Sequence, residues 1–221
     1  MNLEKKIFGN TLRAARGKEK KKMERLSPCG GKPLSYMLRV IMEKKQTSIL
    51  LTGFRATGKS VVGALLAERL GFQLVDSDQE ICRRRGMTVA EIVAQSGWEG
   101  FRRAEQELLL ELCDAERVVL AVGGGAIEHQ ELWPQLRQSY WVVWLRADVA
   151  TIVQRMGDDH ASSGQRPSLT GLGRAEEVAA LLTRRTPLYR DGSDLALDTD
   201  QSRPAQLVEE IIARLGLQLT V

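Results

Sequence analysis

Three patterns in the 221-residue chain predict an α/β fold with one parallel sheet. Continuous apolar runs such as 117–122 and 141–145 recur along the chain, and such runs are typical of strands buried on both faces. Helical segments separate these runs, which predicts a doubly wound sheet with right-handed crossovers and helices on both faces. Polar or glycine residues follow several runs, as at 123–125, and the carboxyl ends of parallel strands are where such sheets bind ligands.

Local signals set the order of these elements. Gly71 ends the first helical segment, and Thr88 with Glu91 forms the pattern of a capping box. Pro187 is expected to break or distort its helix, because proline lacks an amide donor. The predicted strands are 48–52, 72–75, 117–122, 141–145 and 195–198, and the predicted helices are roughly 60–70, a short one from 88, 97–114, 128–137, 148–156, 174–185 and 203–215.

Charge divides the chain into two parts. Residues 1–45 contain 13 Lys/Arg and 4 Glu, whereas residues 46–221 contain 19 Lys/Arg and 24 Asp/Glu. The basic segment 1–45 lacks the apolar core of a secretory signal and is too acidic for a transit peptide. We expect a disordered extension or the product of an upstream start site, since Met37 and Met42 precede the first strand. A nucleic-acid-binding or membrane-binding arm is the alternative.

Residues 46–221 are predicted to form a single domain without a nucleic-acid or membrane partner. Their acidic balance argues against a general nucleic-acid surface. No apolar stretch approaches the roughly 18 residues of a membrane helix. We therefore expect a cytoplasmic protein, and we expect it to be a monomer.

Cysteine and histidine usage argues against a disulfide framework and a zinc site. Cys29, Cys82 and Cys113 are far apart and odd in number, with no paired spacing. His129 and His160 are the only histidines of the chain, and we expect both to lie on the surface. Reduced thiols are the expected state.

A phosphate-binding motif spans residues 53–60, Gly-Phe-Arg-Ala-Thr-Gly-Lys-Ser. It matches G-x-x-x-x-G-K-[ST], and it lies between a predicted strand and a predicted helix, which is the context that the motif requires. Gly53 and Gly58 allow the backbone to turn its N–H groups towards phosphate oxygens. Lys59 can reach the β- and γ-phosphates, and Ser60 can offer a hydroxyl to Mg²⁺. The motif therefore predicts nucleotide binding.

Acidic and glycine residues follow two further strands. Asp76 and Asp78 are expected to alternate on an extended segment, so that one serves Mg²⁺ through water and the other faces a substrate hydroxyl. A plain turn is the alternative. Gly123-Gly124-Gly125 allows a substrate to approach the backbone closely.

Three arginines could meet anionic groups around this edge. Arg102, near a helix start, could bind a carboxylate through two hydrogen bonds, whereas neighbouring Arg103 is expected to be solvated. Residues 157–173 are polar, glycine-rich and without periodicity, as in an active-site lid. Arg166 in this lid could close over the γ-phosphate. Arg185 lies near the end of the following helix.

Together these motifs resemble shikimate kinases, over about residues 46–204. The resemblance rests on GFRATGKS, VDSDQ, GWEGFRRAE, AVGGGAI, QRPSLTG and RTPLY in this order and spacing. The stretch TVAEIVAQSGWEGFRRAE is most similar to the second bacterial isoform type. Many members have Gly-Glu where this chain has Gly97-Trp98, and the lid is slightly long around 162–164. The extension 1–45 matches nothing in the family.

The resemblance implies a fold, a reaction and a set of site residues. The implied fold is the P-loop kinase fold of the nucleoside-monophosphate-kinase type, with five parallel strands, a substrate-binding segment at about 76–106 and a lid. The implied reaction is phosphorylation of the shikimate 3-hydroxyl by ATP with Mg²⁺. Implied shikimate ligands are Asp78, Arg102, Gly124, Gly125 and Arg185, of which the arginines hold the carboxylate and Asp78 holds ring hydroxyls.

The nucleotide site is implied in the same way. Asp76 would help hold Mg²⁺ through water together with Ser60, and Lys59, Asp78 and Arg166 would be catalytic. Arg155 would lie against the adenine, joined by Arg203 and Pro204, and Trp98 would lie near the shikimate pocket. Implied ATP ligands are Gly53, Ala56, Thr57, Gly58, Lys59, Ser60, Val61, Arg155, Arg166 and Arg203.

Three other function classes are alternatives. A gluconate-type or nucleotide kinase would share the phosphate loop but would not need two arginines to hold a carboxylate. A GTPase needs an Asn-Lys-x-Asp motif, and the only asparagines are Asn2 and Asn10. A non-catalytic nucleotide-binding regulator would be expected to lack Lys59, Asp78 or Arg166, all of which are present.

Overall fold

The computed structural model describes residues 48–158 and 173–217, and these contain a five-stranded parallel sheet. The strands are β1 (Ser48–Thr52), β2 (Gln73–Asp76), β3 (Val118–Ala121), β4 (Tyr140–Arg146) and β5 (Leu195–Asp198). Their order across the sheet is β2-β3-β1-β4-β5, and all four neighbouring pairs are parallel. The five-stranded doubly wound sheet predicted from the apolar runs is confirmed. Extension 1–45 and lid residue Arg166 lie outside the described residues.

Helices connect the strands. They are α1 (Lys59–Leu70), α2 (Ser77–Arg85), α3 (Val89–Glu111), α4 (Trp133–Ser139), α5 (Val149–Asp158), α6 (Arg174–Gly192) and α7 (Pro204–Leu215), with a 3₁₀ turn at Ala126–Glu128. Among the described residues, no helix combines the length and the apolar composition needed to cross a membrane.

Both faces of the sheet are covered, because side chains alternate along each strand. On β1, Ile49 and Leu51 pack with α1 and α7, whereas Leu50 packs on the opposite face with residues of α3, α4 and α6. All three side chains are fully buried. This two-sided burial explains why the strands read as continuous apolar runs.

The two predicted helices beginning near residues 88 and 97 are confirmed as the halves of α3. Thr88 and Glu91 form the predicted capping box at its start. Gly97 has φ +68° and ψ 175°, which interrupts the helix. Only glycine adopts this conformation without strain, so the chain changes direction just before Trp98 and Arg102.

Two local expectations are wrong. Helix α6 does not end near Arg185 but continues through Pro187 to Gly192, because its last turns bury Tyr189 in the core beside Leu188. Asp78 does not lie on an extended segment. Asp76 ends β2 and caps α2, so that Asp78 lies in the first turn of a helix.

Replacement of Leu66 by alanine should lower the free energy of unfolding by about 2–5 kcal/mol, because a fully buried leucine leaves a cavity. Leu66 is fully buried on α1, whereas its neighbour Leu65 is 37% exposed. Leu65→Ala is therefore the matched control, expected to cost less than about 1 kcal/mol. Urea unfolding at equilibrium measures both, and equal losses would contradict the assignment of the core face.

Candidate active site

The phosphate loop is held open by backbone conformations that glycine favours. Gly53 has φ +138°, and a Cβ there would lie 2.1 Å from the carbonyl oxygen of Leu145. Gly58, the residue before α1, has φ +88° and caps the helix without a side-chain hydrogen bond. The first N–H groups of α1 therefore remain available to an anion, and the helix dipole favours negative charge there.

The polar side chains of the loop make specific contacts. Lys59 Nζ donates to the carbonyl oxygens of Gly53 at 2.9 Å and Phe54 at 2.7 Å. Thr57 is buried, and its hydroxyl donates to the Phe54 carbonyl at 2.8 Å. Its side chain therefore shapes the loop, while Val61, exposed by 54%, begins the outer face of α1.

Asp76 joins the start of α1 to the end of β2, which β3 separates from β1 in the sheet. Its Oδ2 accepts a hydrogen bond from the Ser60 hydroxyl at 2.7 Å, and its Oδ1 accepts from the backbone N–H groups of Asp78 and Gln79. Ser77 is buried and its hydroxyl accepts from Gly123 N–H at 2.9 Å. Residues 76 and 77 thus connect the end of β2 to the start of α1 and to the segment that follows β3.

A cleft opens beside this edge and brings all five predicted acceptor-binding residues together. Its empty space is about 470 Å³, including open solvent at its mouth. Its lining residues are Phe54, Arg55, Asp78, Val89, Trp98, Phe101, Arg102, Gly123, Gly124, Gly125 and Arg185.

Arg102 is held by aromatic rings and by a buried carboxylate. Its guanidinium carbon lies 5.9 Å from the Trp98 ring centre and 5.7 Å from the Phe101 ring centre, within the range of cation–π attraction. It also forms an ion pair with Glu105, whose side chain is fully buried. His129 Nε2 lies 3.1 Å from the same Glu105 oxygen.

His129 is consequently not the surface residue expected from the sequence. Its side chain is only 11% exposed. The short turn after the glycines brings it over α3, where a buried carboxylate needs a second hydrogen-bond donor. His160 lies outside the described residues.

Arg185 enters the cleft from α6, and only 4% of its side chain is exposed. Its Nη2 donates to Glu128 Oε2 at 2.8 Å, and Arg184 Nη2 donates to Glu128 Oε1 at 2.5 Å. Burial raises the pKa of Glu128, but the hydrogen bond from Arg185 and the charges of three arginines outweigh it and leave this pKa below its usual value. Glu128 is therefore ionised at neutral pH.

Any residue larger than glycine at positions 123–125 would place its Cβ close to other atoms of the site. A Cβ at Gly123 would lie 2.7 Å from Glu105 Oε1 and 2.8 Å from Asp78 Oδ1, and one at Gly124 would lie 3.3 Å from the backbone of Gly53. Tyr189 fixes this segment by donating its hydroxyl to the Gly124 carbonyl at 2.5 Å. The glycines thus leave room for neighbouring protein groups, and the close approach of a substrate to this backbone stays a prediction.

The remaining predicted nucleotide ligands lie on the other side of the phosphate loop. Arg155 of α5 donates to the Thr199 hydroxyl at 3.0 Å and to the Ala56 carbonyl at 3.4 Å. Arg203 is exposed at the residue before α7, and Arg166 lies outside the described residues.

Sequence reasoning missed several residues of the site. It assigned no role to Arg55, Glu105, Glu128 or His129, and it did not separate Ser77 from the two aspartates beside it. Glu105 could have been found, because it follows Arg102 by three residues, the spacing of neighbours on one helix face. Glu128 and His129 carry no such signal, since their partners lie 57 and 24 residues away.

Comparison with known proteins agrees with this geometry. The family model described as shikimate kinase matches residues 55–216. The chain belongs to the shikimate kinase family. Its similarity to a shikimate kinase of Syntrophus aciditrophicus is 38% identity over 184 residues, covering 80% of this chain and 94% of that protein. A "Shikimate kinase 2" of Yersinia pestis is 38% identical over 168 residues, covering 76% of this chain and 95% of that protein.

A solved structure of similar fold is a shikimate kinase from Acinetobacter baumannii in complex with shikimate. It is 34% identical, with a TM-score of 0.71, and the match covers 82% of this chain and 99% of that one. The chain is accordingly a kinase with the P-loop fold of the nucleoside-monophosphate-kinase type, as its motifs predicted.

Replacement of Gly125 by alanine should impair the pocket more than the fold. A Cβ there would lie 2.0 Å from Arg102 Nη2, and the end of that flexible side chain can move aside. We expect a loss of stability below about 1.5 kcal/mol and a rise in the KM for shikimate of at least about tenfold, because a displacement of about 1 Å matters at a binding group.

Gly53→Ala is the contrasting variant. Its Cβ would meet a backbone carbonyl at 2.1 Å and φ is +138°, so we expect a large loss of stability. Thermal unfolding and steady-state kinetics measure both variants. An unchanged shikimate KM in folded Gly125→Ala would contradict the arrangement of Arg102.

Proposed function

We propose that this shikimate kinase family member phosphorylates the 3-hydroxyl of shikimate in the cleft between the phosphate loop and α3. The observation that carries the proposal is the convergence of Arg102, Arg185 and Asp78 on one cleft. Two guanidinium groups suit a carboxylate, and a carboxylate beside them suits a hydroxyl group. Shikimate offers both groups on one ring.

Arg102 and Arg185 would bind the shikimate carboxylate and thereby fix the ring in one orientation. Asp78, which is 8% exposed, would accept a hydrogen bond from the reacting hydroxyl and take its proton late in the transfer. Gly124 and Gly125 would let the ring approach the backbone. This positioning supplies most of the catalysis, because phosphoryl transfer proceeds through a loose transition state.

The phosphate side of the reaction would use the open end of α1. Its N–H groups and Lys59 would bind the phosphate oxygens of ATP, and Arg166 would close with the lid as a further positive charge. Arg155, with Arg203, would border the adenine. Lys59 now donates to Gly53 and Phe54, so it would exchange these carbonyls for phosphate oxygens when ATP binds.

The residues at the end of β2 fit a magnesium ion. Ser60 Oγ and Asp76 Oδ2 lie 2.7 Å apart and are hard oxygen donors of the kind that Mg²⁺ prefers. No cluster of three or more Asp, Glu, His or Cys side chains able to hold a metal occurs among the described residues. Ser60 would bind the ion directly and Asp76 through water, with ATP supplying further oxygens. Bound there, Mg²⁺ would neutralise charge on the β- and γ-phosphates.

The acceptor specificity is tested by ADP release from MgATP in the presence of shikimate, gluconate or AMP. We expect turnover with shikimate alone. Turnover with gluconate or AMP instead would keep the phosphate loop assignment and contradict the acceptor site. ATP binding without turnover of any acceptor would favour a nucleotide-binding regulator.

Asp78→Asn should lower kcat by about 10²- to 10³-fold, because the amide keeps the shape of the carboxylate but cannot accept the proton. The KM for ATP should stay within about twofold. Steady-state kinetics with thermal unfolding as the folding control measures the effect, and an unchanged kcat would exclude Asp78 as the base.

A further inference from the structure

Two neighbouring residues outside the cleft act on Arg185 and Arg102, the first by direct contact and the second through a carboxylate. Glu128 ends the 3₁₀ turn that follows Gly125, and His129 comes next. Neither residue lines the cleft. Glu128 contacts Arg185 directly, whereas His129 contacts the carboxylate that is paired with Arg102.

Glu128 bridges two arginines of different exposure. Its Oε2 accepts from Arg185, of which 4% is exposed, and its Oε1 accepts from Arg184, of which 61% is exposed. The exposed Arg184 thus holds one oxygen of the carboxylate, and this leaves the other oxygen facing Arg185. A buried guanidinium without such an acceptor would be costly to keep in place.

Arg185 keeps donors for a ligand despite this contact. Its Nη2 is engaged by Glu128, and its side chain lines the cleft. A guanidinium carries five N–H donors in a planar fork. One edge of the fork can therefore be fixed by Glu128 while another faces the cleft.

His129 acts on the second arginine through Glu105. The Glu105 side chain is fully buried, and the same oxygen that pairs with Arg102 lies 3.1 Å from His129 Nε2. A second donor on that oxygen restricts the rotation of the carboxylate that pairs with Arg102.

We propose that Glu128 and His129 are positioning residues that orient Arg185 and Arg102 before the substrate carboxylate binds. The inference rests on the proposed role of these arginines and extends it to residues outside the cleft. Preorganised donors lose less conformational entropy on binding. Loss of either residue is therefore expected to weaken shikimate binding and to leave ATP binding unchanged.

Glu128→Ala should raise the KM for shikimate by about 5- to 20-fold, as expected for the loss of a charge-assisted contact that is partly exposed. The KM for ATP should stay within about twofold. Glu128→Gln should restore the shikimate KM to within about threefold of the parent chain, because its amide oxygen still accepts from Arg185. Glu131→Ala is the matched control, since Glu131 is exposed on the same segment and contacts Gln106 instead.

The same comparison applies to His129. His129→Phe removes the donor and should raise the shikimate KM by about 3- to 10-fold, whereas His129→Gln offers an N–H at a similar distance and should restore it. Thermal unfolding identifies variants that fail to fold. The Gln variants keep the shape of each site, so they test the proposal even where Ala or Phe destabilises the chain.

Four outcomes would overturn the inference. Equal rises in the KM for shikimate and ATP would indicate a merely structural role. A lower shikimate KM in both Glu128 variants would mean that this carboxylate competes with the substrate. An unaltered shikimate KM in Arg102→Ala and Arg185→Ala would contradict the proposed carboxylate site itself. A raised KM in these two variants, with an unaltered KM in the Glu128 and His129 variants, would contradict only the positioning role.

Discussion

The contact between the glycine segment 123–125 and the phosphate loop determines how the rest of the site is built. A side-chain carbon on Gly124 would lie only 3.3 Å from Gly53 O and Arg55 N. Strand β3 lies beside β1 in the sheet, so the loops that follow these two strands are forced together. The nucleotide loop and the cleft therefore share one wall, as in-line transfer between two bound substrates requires. Tyr189 reinforces the contact from α6 by binding the Gly124 carbonyl.

Compensated charge is the second feature on which the cleft depends. Arg185 and Glu105 are almost completely buried, and a buried charge without a partner would neutralise or move. The two arginines proposed to bind the substrate carboxylate each have a carboxylate partner, Glu128 for Arg185 and Glu105 for Arg102. These ion pairs hold the two guanidinium groups in place even when no ligand is bound. They also place the carboxylates of Glu105 and Glu128 close to the site proposed to bind the carboxylate of shikimate.

Local sequence patterns predicted much of the fold and part of the site. The five strands follow from apolar runs because both faces of the sheet are buried, and the phosphate loop follows from glycine and lysine spacing in its strand–helix context. Pro187 misled the prediction, since propensity favours a break whereas burial of Tyr189 keeps α6 continuous. Asp76 is extended at the end of β2, but the prediction that Asp78 is also extended was wrong, because Asp76 caps a helix that begins at Ser77.

The sequence by itself determined the fold class, the nucleotide loop and the family, because these depend on periodicity and on motifs within a few residues of each other. Tertiary structure alone decided which distant side chains meet. The contacts of Glu128 with Arg185 and of His129 with Glu105 join separate elements. They arise from strand order and helix packing, and no local pattern encodes them.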